Sequence, residues 1–116
     1  MSKANVFEND LLLLIFNATG IANIADNAGS SPLTSLYVSL HTADPGEAGN
    51  QTTNEAAYTS YARVAVARSG SGWTVSGNTV TNAALIQFPQ CTGGSETITH
   101  FAIGTAASST GKVLYK

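Results

Sequence analysis

The groups able to do chemistry in this sequence are two histidines, seven acids, one cysteine and a large stock of hydroxyls. His41 and His100 stand far apart, and neither has a second His or Cys at metal-ligand spacing, so no zinc-type site is expected. A serine triad needs an imidazole held by a carboxylate. His41 with Asp44, or His100 with Glu96, are the combinations on offer, and no G-x-S-x-G elbow accompanies them. Packing or capping at a strand end is the simpler role for both rings. Asp44, Glu47 and Glu55 fall in one polar stretch that reads as a solvated loop; calcium binding there lacks a recognisable ligand spacing. Glycoside hydrolysis would need two acids facing across a cleft, and nothing in the spacing places them so. Gly70-Ser71-Gly72 joins two strand candidates rather than a strand and a helix, which makes it a connector and not a phosphate cradle. Cys91 has no partner for an internal disulfide and no nearby group to activate its thiol. The reading is therefore of a non-enzyme with no catalytic, metal-binding or cofactor-binding residue.

The elements that would position such groups follow from composition and period. A chain of 116 residues fits one domain, 1–116, with one modest core. Charged residues make up 10% of it, against about 25% in a typical soluble domain. A surface of small neutral polar residues suits packed subunits, where few charges need desolvating. The five Lys and Arg and the net charge of −2 speak against nucleic-acid binding. Leu11–Phe16 is too short for a membrane span or a signal-peptide core, and acids precede it, so no membrane insertion and synthesis in the cytoplasm without export are expected.

Residues 3–18 predict a helix stopped by Thr19-Gly20. Val6, Phe7, Leu11, Leu14 and Ile15 share one side, which would pack on a sheet. Leu12, Leu13 and Phe16 widen the apolar stripe beyond what a surface helix needs and are candidates to meet a partner. After a loop at 20–32, alternation predicts a strand at 33–42, closed by the turn Asp44-Pro45-Gly46. Residues 47–60 resist assignment, with one helical turn expected at 54–57. Further strands are expected at 62–68, 73–76, 79–82, 85–88, 97–104 and from 112 onward, with Gly77-Asn78 making a hairpin. The sum is a mainly β chain: an antiparallel β-sandwich or barrel-like domain of about seven short strands (about 33–116) with one N-terminal α-helix. Tyr58, Tyr61 and Trp73 complete the set of interface candidates; as aromatics they would cover a sheet edge, anchor a contact or stack on a sugar.

The stretch Leu40-His41-Thr42-Ala43-Asp44-Pro45-Gly46-Glu47-Ala48-Gly49 is similar to the L-H-T-x-D-P-G segment of small phage virion proteins of the tail-fibre-like or capsid-decoration type. Tyr58, Tyr61 and Arg63 match a following Tyr-x-x-Tyr-x-Arg segment, Trp73 a tryptophan strand, and Asn82-Ala83-Ala84 and Phe88-Pro89 further features. The resemblance covers most of the chain and names no chemistry. It implies a structural subunit of a bacteriophage particle, assembling as a homo-oligomer, commonly a trimer, with other capsid or tail proteins as partners. A receptor-binding module for a bacterial surface glycan is the alternative expectation.

Overall fold

In the computed structural model, residues 2–21, 25 and 32–116 are described. One helix and six strands are found: α1 (Asn5–Asn17), β1 (Ser35–His41), β2 (Val64–Ala67), β3 (Trp73–Ser76), β4 (Thr79–Asn82), β5 (His100–Gly104) and β6 (Val113–Tyr115). Strands β2-β1-β5-β6 form one sheet in that order, and β3-β4 form a separate hairpin. The chain is mainly β with an N-terminal helix, and neither sheet closes into a barrel. The expected strand at 85–88 does not form: Leu85 is 82% exposed and the segment pairs with no strand. The helical turn expected at 54–57 is also absent, because Asn54 takes a left-handed φ of 56° and Glu55 bridges to His41. Most of the expected loop at 20–32 lies outside the described residues.

The fold divides into two compact units. The first joins residues 1–34 with 67–85 and holds α1 and the β3–β4 hairpin. No Gly or Pro interrupts residues 5–17, and Leu is a strong helix former. The helix packs on the hairpin, with Phe16 wholly buried and set edge-on to Trp73 at 4.9 Å between ring centres. At its N-terminal end the Asn9 amide donates to the carbonyl of Gly77, and Asn78 donates to the Glu8 carboxylate at 3.3 Å. The stop comes at Ala18, not at Gly20: Ala18 takes the left-handed conformation (φ 54°), and Thr19 N–H donates back to Leu13 O at 3.1 Å. Two carbonyls left over in the last turn are taken by Arg68, which donates to Ile15 O (2.7 Å) and Leu14 O (2.6 Å) and also, beyond the helix, to Leu33 O (2.6 Å).

The second unit joins residues 35–66 with 86–116. Strands β1 and β5 pair antiparallel with Val38 opposite Ile103, Ser39 opposite Ala102, Leu40 opposite Phe101 and His41 opposite His100. Strand alternation therefore gives one face to Leu36, Val38, Leu40, Phe101 and Ile103, and the other to Tyr37, Ser39, His41, His100 and Ala102. The segment that resists assignment from sequence, 47–60, contributes to the second face: Gln51 and Thr53 bond Tyr37 and His41 there.

Candidate functional site

The second unit gathers most of the chemically capable side chains, and the buried ones among them hold the fold. Ser39 and His41 lie two apart on one strand face, so their side chains meet: Ser39 Oγ stands 2.9 Å from His41 Nε2. His41 Nδ1 faces the carbonyl oxygen of Thr53 at 2.9 Å, which requires the proton on Nδ1, and the Ser39 hydroxyl also reaches the Ala102 carbonyl at 3.4 Å. This resembles a nucleophile–base pair, and the i, i+2 spacing was the signal for it. Both side chains are 0% exposed, however, and the third member is a backbone carbonyl where a triad needs a carboxylate. No substrate can reach Ser39 Oγ in this conformation. Asp44 does not orient His41, and His100 hydrogen-bonds its neighbour Thr99 Oγ1 at 2.8 Å rather than Glu96. Glu96 instead accepts from the backbone N–H of Ala57 at 2.8 Å.

Gln51 is the residue that composition gave least reason to notice. It is fully buried; its amide donates to Tyr37 O (3.2 Å) and accepts from Ala106 N–H (2.9 Å), while its own N–H donates to Gly111 O (2.9 Å). A Cβ on Gly104 or Gly111 would collide with this side chain, so two glycines open the slot that it fills.

The Tyr-x-x-Tyr-x-Arg segment has a structural explanation. Arg63 grips Glu55 in a two-pronged ion pair (2.6 and 2.8 Å) and donates to Ala106 O (2.9 Å) and Ser109 O (2.8 Å). Its side chain is 3% exposed. The bond to Glu55 makes the guanidinium hold its proton still more tightly. Tyr61 donates to Glu55 at 2.8 Å and accepts from Leu40 N–H at 3.1 Å. Burial, then the neighbouring Glu55, push its phenol well above the ordinary tyrosine value. Tyr58 donates to Pro89 O at 2.8 Å and sets its ring edge-on to Tyr61 at 5.3 Å, while Phe88 stacks on Tyr61 at 6.4 Å.

The turn Asp44-Pro45-Gly46 is closed by Gly46 N–H donating to Asp44 Oδ1 at 2.8 Å, with Gly46 at φ 75°. Lys116 Nζ sits between Asp44 (2.9 Å) and Glu47 (3.0 Å). The Gly46 N–H and then Lys116 hold the Asp44 carboxyl below the usual range, and Asp44 and Glu47 raise the Lys116 ammonium. A shallow groove of about 450 Å³ runs between this loop and β6, lined by Gly46, Glu47, Gly49 and Val113–Lys116. The cationic place in this acidic loop is filled by the protein's own ammonium group. Among the described residues no cluster of three or more His, Cys, Asp or Glu could hold a metal ion.

The interface candidates are found in two different situations. Phe16 and Trp73 are brought together in the interior of the first unit (0% and 4% exposed), so neither faces outward as Phe16 was expected to do: the edge-to-face ring contact consumes both. Among the described residues the buried Trp73 indole N–H has no hydrogen-bond partner. Leu12 and Leu13 are half-buried, as are Tyr58 and Tyr61, whose hydroxyls are engaged. Phe7, placed on the packing side by its spacing, is 39% exposed, and Val6 is 75% exposed. Cys91 is exposed, its thiol near the carbonyls of Gly93 and Gly94. Among the described residues no helix is long and apolar enough to cross a membrane.

No curated protein and no solved structure matches the chain. One family model, described as podophage GP4 fiber I protein gp80, matches residues 4–116, and the chain belongs to that family.

Proposed function

We propose that this chain is a non-enzymatic structural subunit of a phage fibre, built into the virion by contacts with copies of itself and with other virion proteins. Membership of a phage fibre family supports a structural virion component. The finer reading rests on one observation: apolar residues on every side of the helix keep part of their surface exposed. Leu11–Ile15 are five successive apolar residues, which at about 100° per residue sweep the whole circumference of the helix. Each of them is partly exposed, and Phe16 is the buried residue of α1.

Closed cyclic assembly, a trimer, is the form proposed, with synthesis in the host cytoplasm before incorporation. The inward placement of Trp73 and the engaged hydroxyls of Tyr58 and Tyr61 weaken the alternative of a glycan-binding tip, which would need such rings on the surface. Sedimentation equilibrium on the purified chain tests the proposal. A mass of three copies is expected. A monomer at concentrations up to the hundred-micromolar range would overturn it.

A further inference from the structure

Ser39 and His41 form a buried junction that the proposed assembly does not use. The His41 ring ties β1 to the loop that follows it, through Nδ1 and the Thr53 carbonyl at 2.9 Å. Ser39 Oγ ties β1 to β5, lying 2.9 Å from His41 Nε2 and 3.4 Å from the Ala102 carbonyl. Both side chains are closed to solvent. One hydroxyl proton cannot serve both directions. With Nδ1 carrying the ring's proton, the neutral ring leaves Nε2 as an acceptor, and the shorter contact takes the Ser39 proton.

A second proton on the ring reverses this arrangement. Nε2 becomes a donor, the Ser39 hydroxyl must turn to the longer contact with Ala102, and a full positive charge appears in a closed site. The groups around it offer little to balance that charge. Across the strand pair, on the same face, stands a second imidazole, His100, whose Nδ1 is engaged with Thr99 Oγ1. From the loop, Glu55 bridges to His41 through the backbone, but its carboxylate is held by Arg63 and Tyr61. Past the end of β1, the Asp44 carboxylate is engaged with Gly46 N–H and with Lys116, which Glu47 also holds. Among the described residues the hydrogen-bond partners of the His41 ring are a hydroxyl and a carbonyl, both uncharged.

We infer that the Ser39–His41 junction is an acid-sensitive latch, which holds β1, β5 and the loop carrying Thr53 together while the ring is neutral and releases them when it is protonated. An imidazole in the unfolded chain takes up a proton as the pH falls through about 6.5. The closed junction opposes that uptake, so mild acid favours the unfolded sheet unit, above the range near 4 in which carboxylates titrate.

The test is the hydrogen-exchange protection of β1 and β5 amides at pH 7.5 and 5.5, in the full chain, in His41→Gln and in His100→Gln. Corrected for intrinsic exchange, protection in the parent is expected to fall about tenfold between the two pH values, the change in proton binding of an unfolded imidazole over that interval. His41→Gln is expected to lose this response and His100→Gln to keep it. Unchanged protection in the parent, an equal fall in His41→Gln, or its loss in His100→Gln would overturn the inference. Should His41→Gln fail to fold, proton uptake supplies the second reading. Urea unfolding of the parent is expected to take up about one proton per chain at pH 5.5 and close to none at pH 7.5. Equal uptake at the two values would overturn the latch. Self-association is read separately by sedimentation, so these outcomes leave it standing.

Discussion

The two units of this chain are held together by opposite means. The sheet unit has a polar interior: Ser39, His41 and Gln51 are wholly buried, and Arg63 and Glu55 are nearly so. All have partners with specific geometry, and buried polar groups tolerate few alternatives to the arrangement that satisfies them. The helix–hairpin unit relies on one aromatic pair, Phe16 and Trp73, and on Arg68 closing the end of the helix. Among the described residues its indole N–H has no partner, and the apolar residues of its helix keep part of their surface exposed. The comparison teaches that polar groups with fixed partners order one unit, while an aromatic contact and a closed helix end order the other.

Substitutions can break this contrast. The largest effect is expected at Glu55→Ala, which strands the Arg63 guanidinium in a nearly closed site and should cost about 3 kcal/mol in urea unfolding. Replacing both Glu55 and Arg63 by Leu and Met should restore much of that loss; if the double variant is as unstable as the single, stranded charge is not the cause. Next comes Arg68→Ala, which removes three charge-assisted bonds to Leu14, Ile15 and Leu33 carbonyls. Those carbonyls recover water as the end frays, so a loss of about 2 kcal/mol is expected, with reduced helical ellipticity. The smallest effect has the opposite sign. Ala18 sits at a φ of 54° that glycine adopts without strain, so Ala18→Gly should raise stability by about 0.5–1 kcal/mol, seen as a higher thermal midpoint.

The sequence foretold the parts of the fold that follow from local rules. Alternation located β1, and Gly77-Asn78 between two β-rich runs located the β3–β4 hairpin with its ends at Trp73 and Asn82. Other features depended on distant partners. Gln51 looked like one more polar loop residue, because the slot that receives it is formed by Gly104 and Gly111 far along the chain. Leu85–Phe88 had strand composition but no neighbour to pair with. The helix stop was misplaced because glycine is the usual left-handed residue, and here Ala18 takes that position with Arg68 supporting the turn from a distance. Phe16 was assigned outward from its position on the helix alone; its burial is decided by Trp73, which local spacing could not place.

Hydrogen exchange, comparing the assembled protein with the same chain diluted until it dissociates, tests the central claim most directly. The account predicts that assembly slows exchange in α1, while amides near Gln51 and Arg63 are equally protected in both states. Equal protection of α1 in the two states would contradict it, because the helix would then owe nothing to its neighbours.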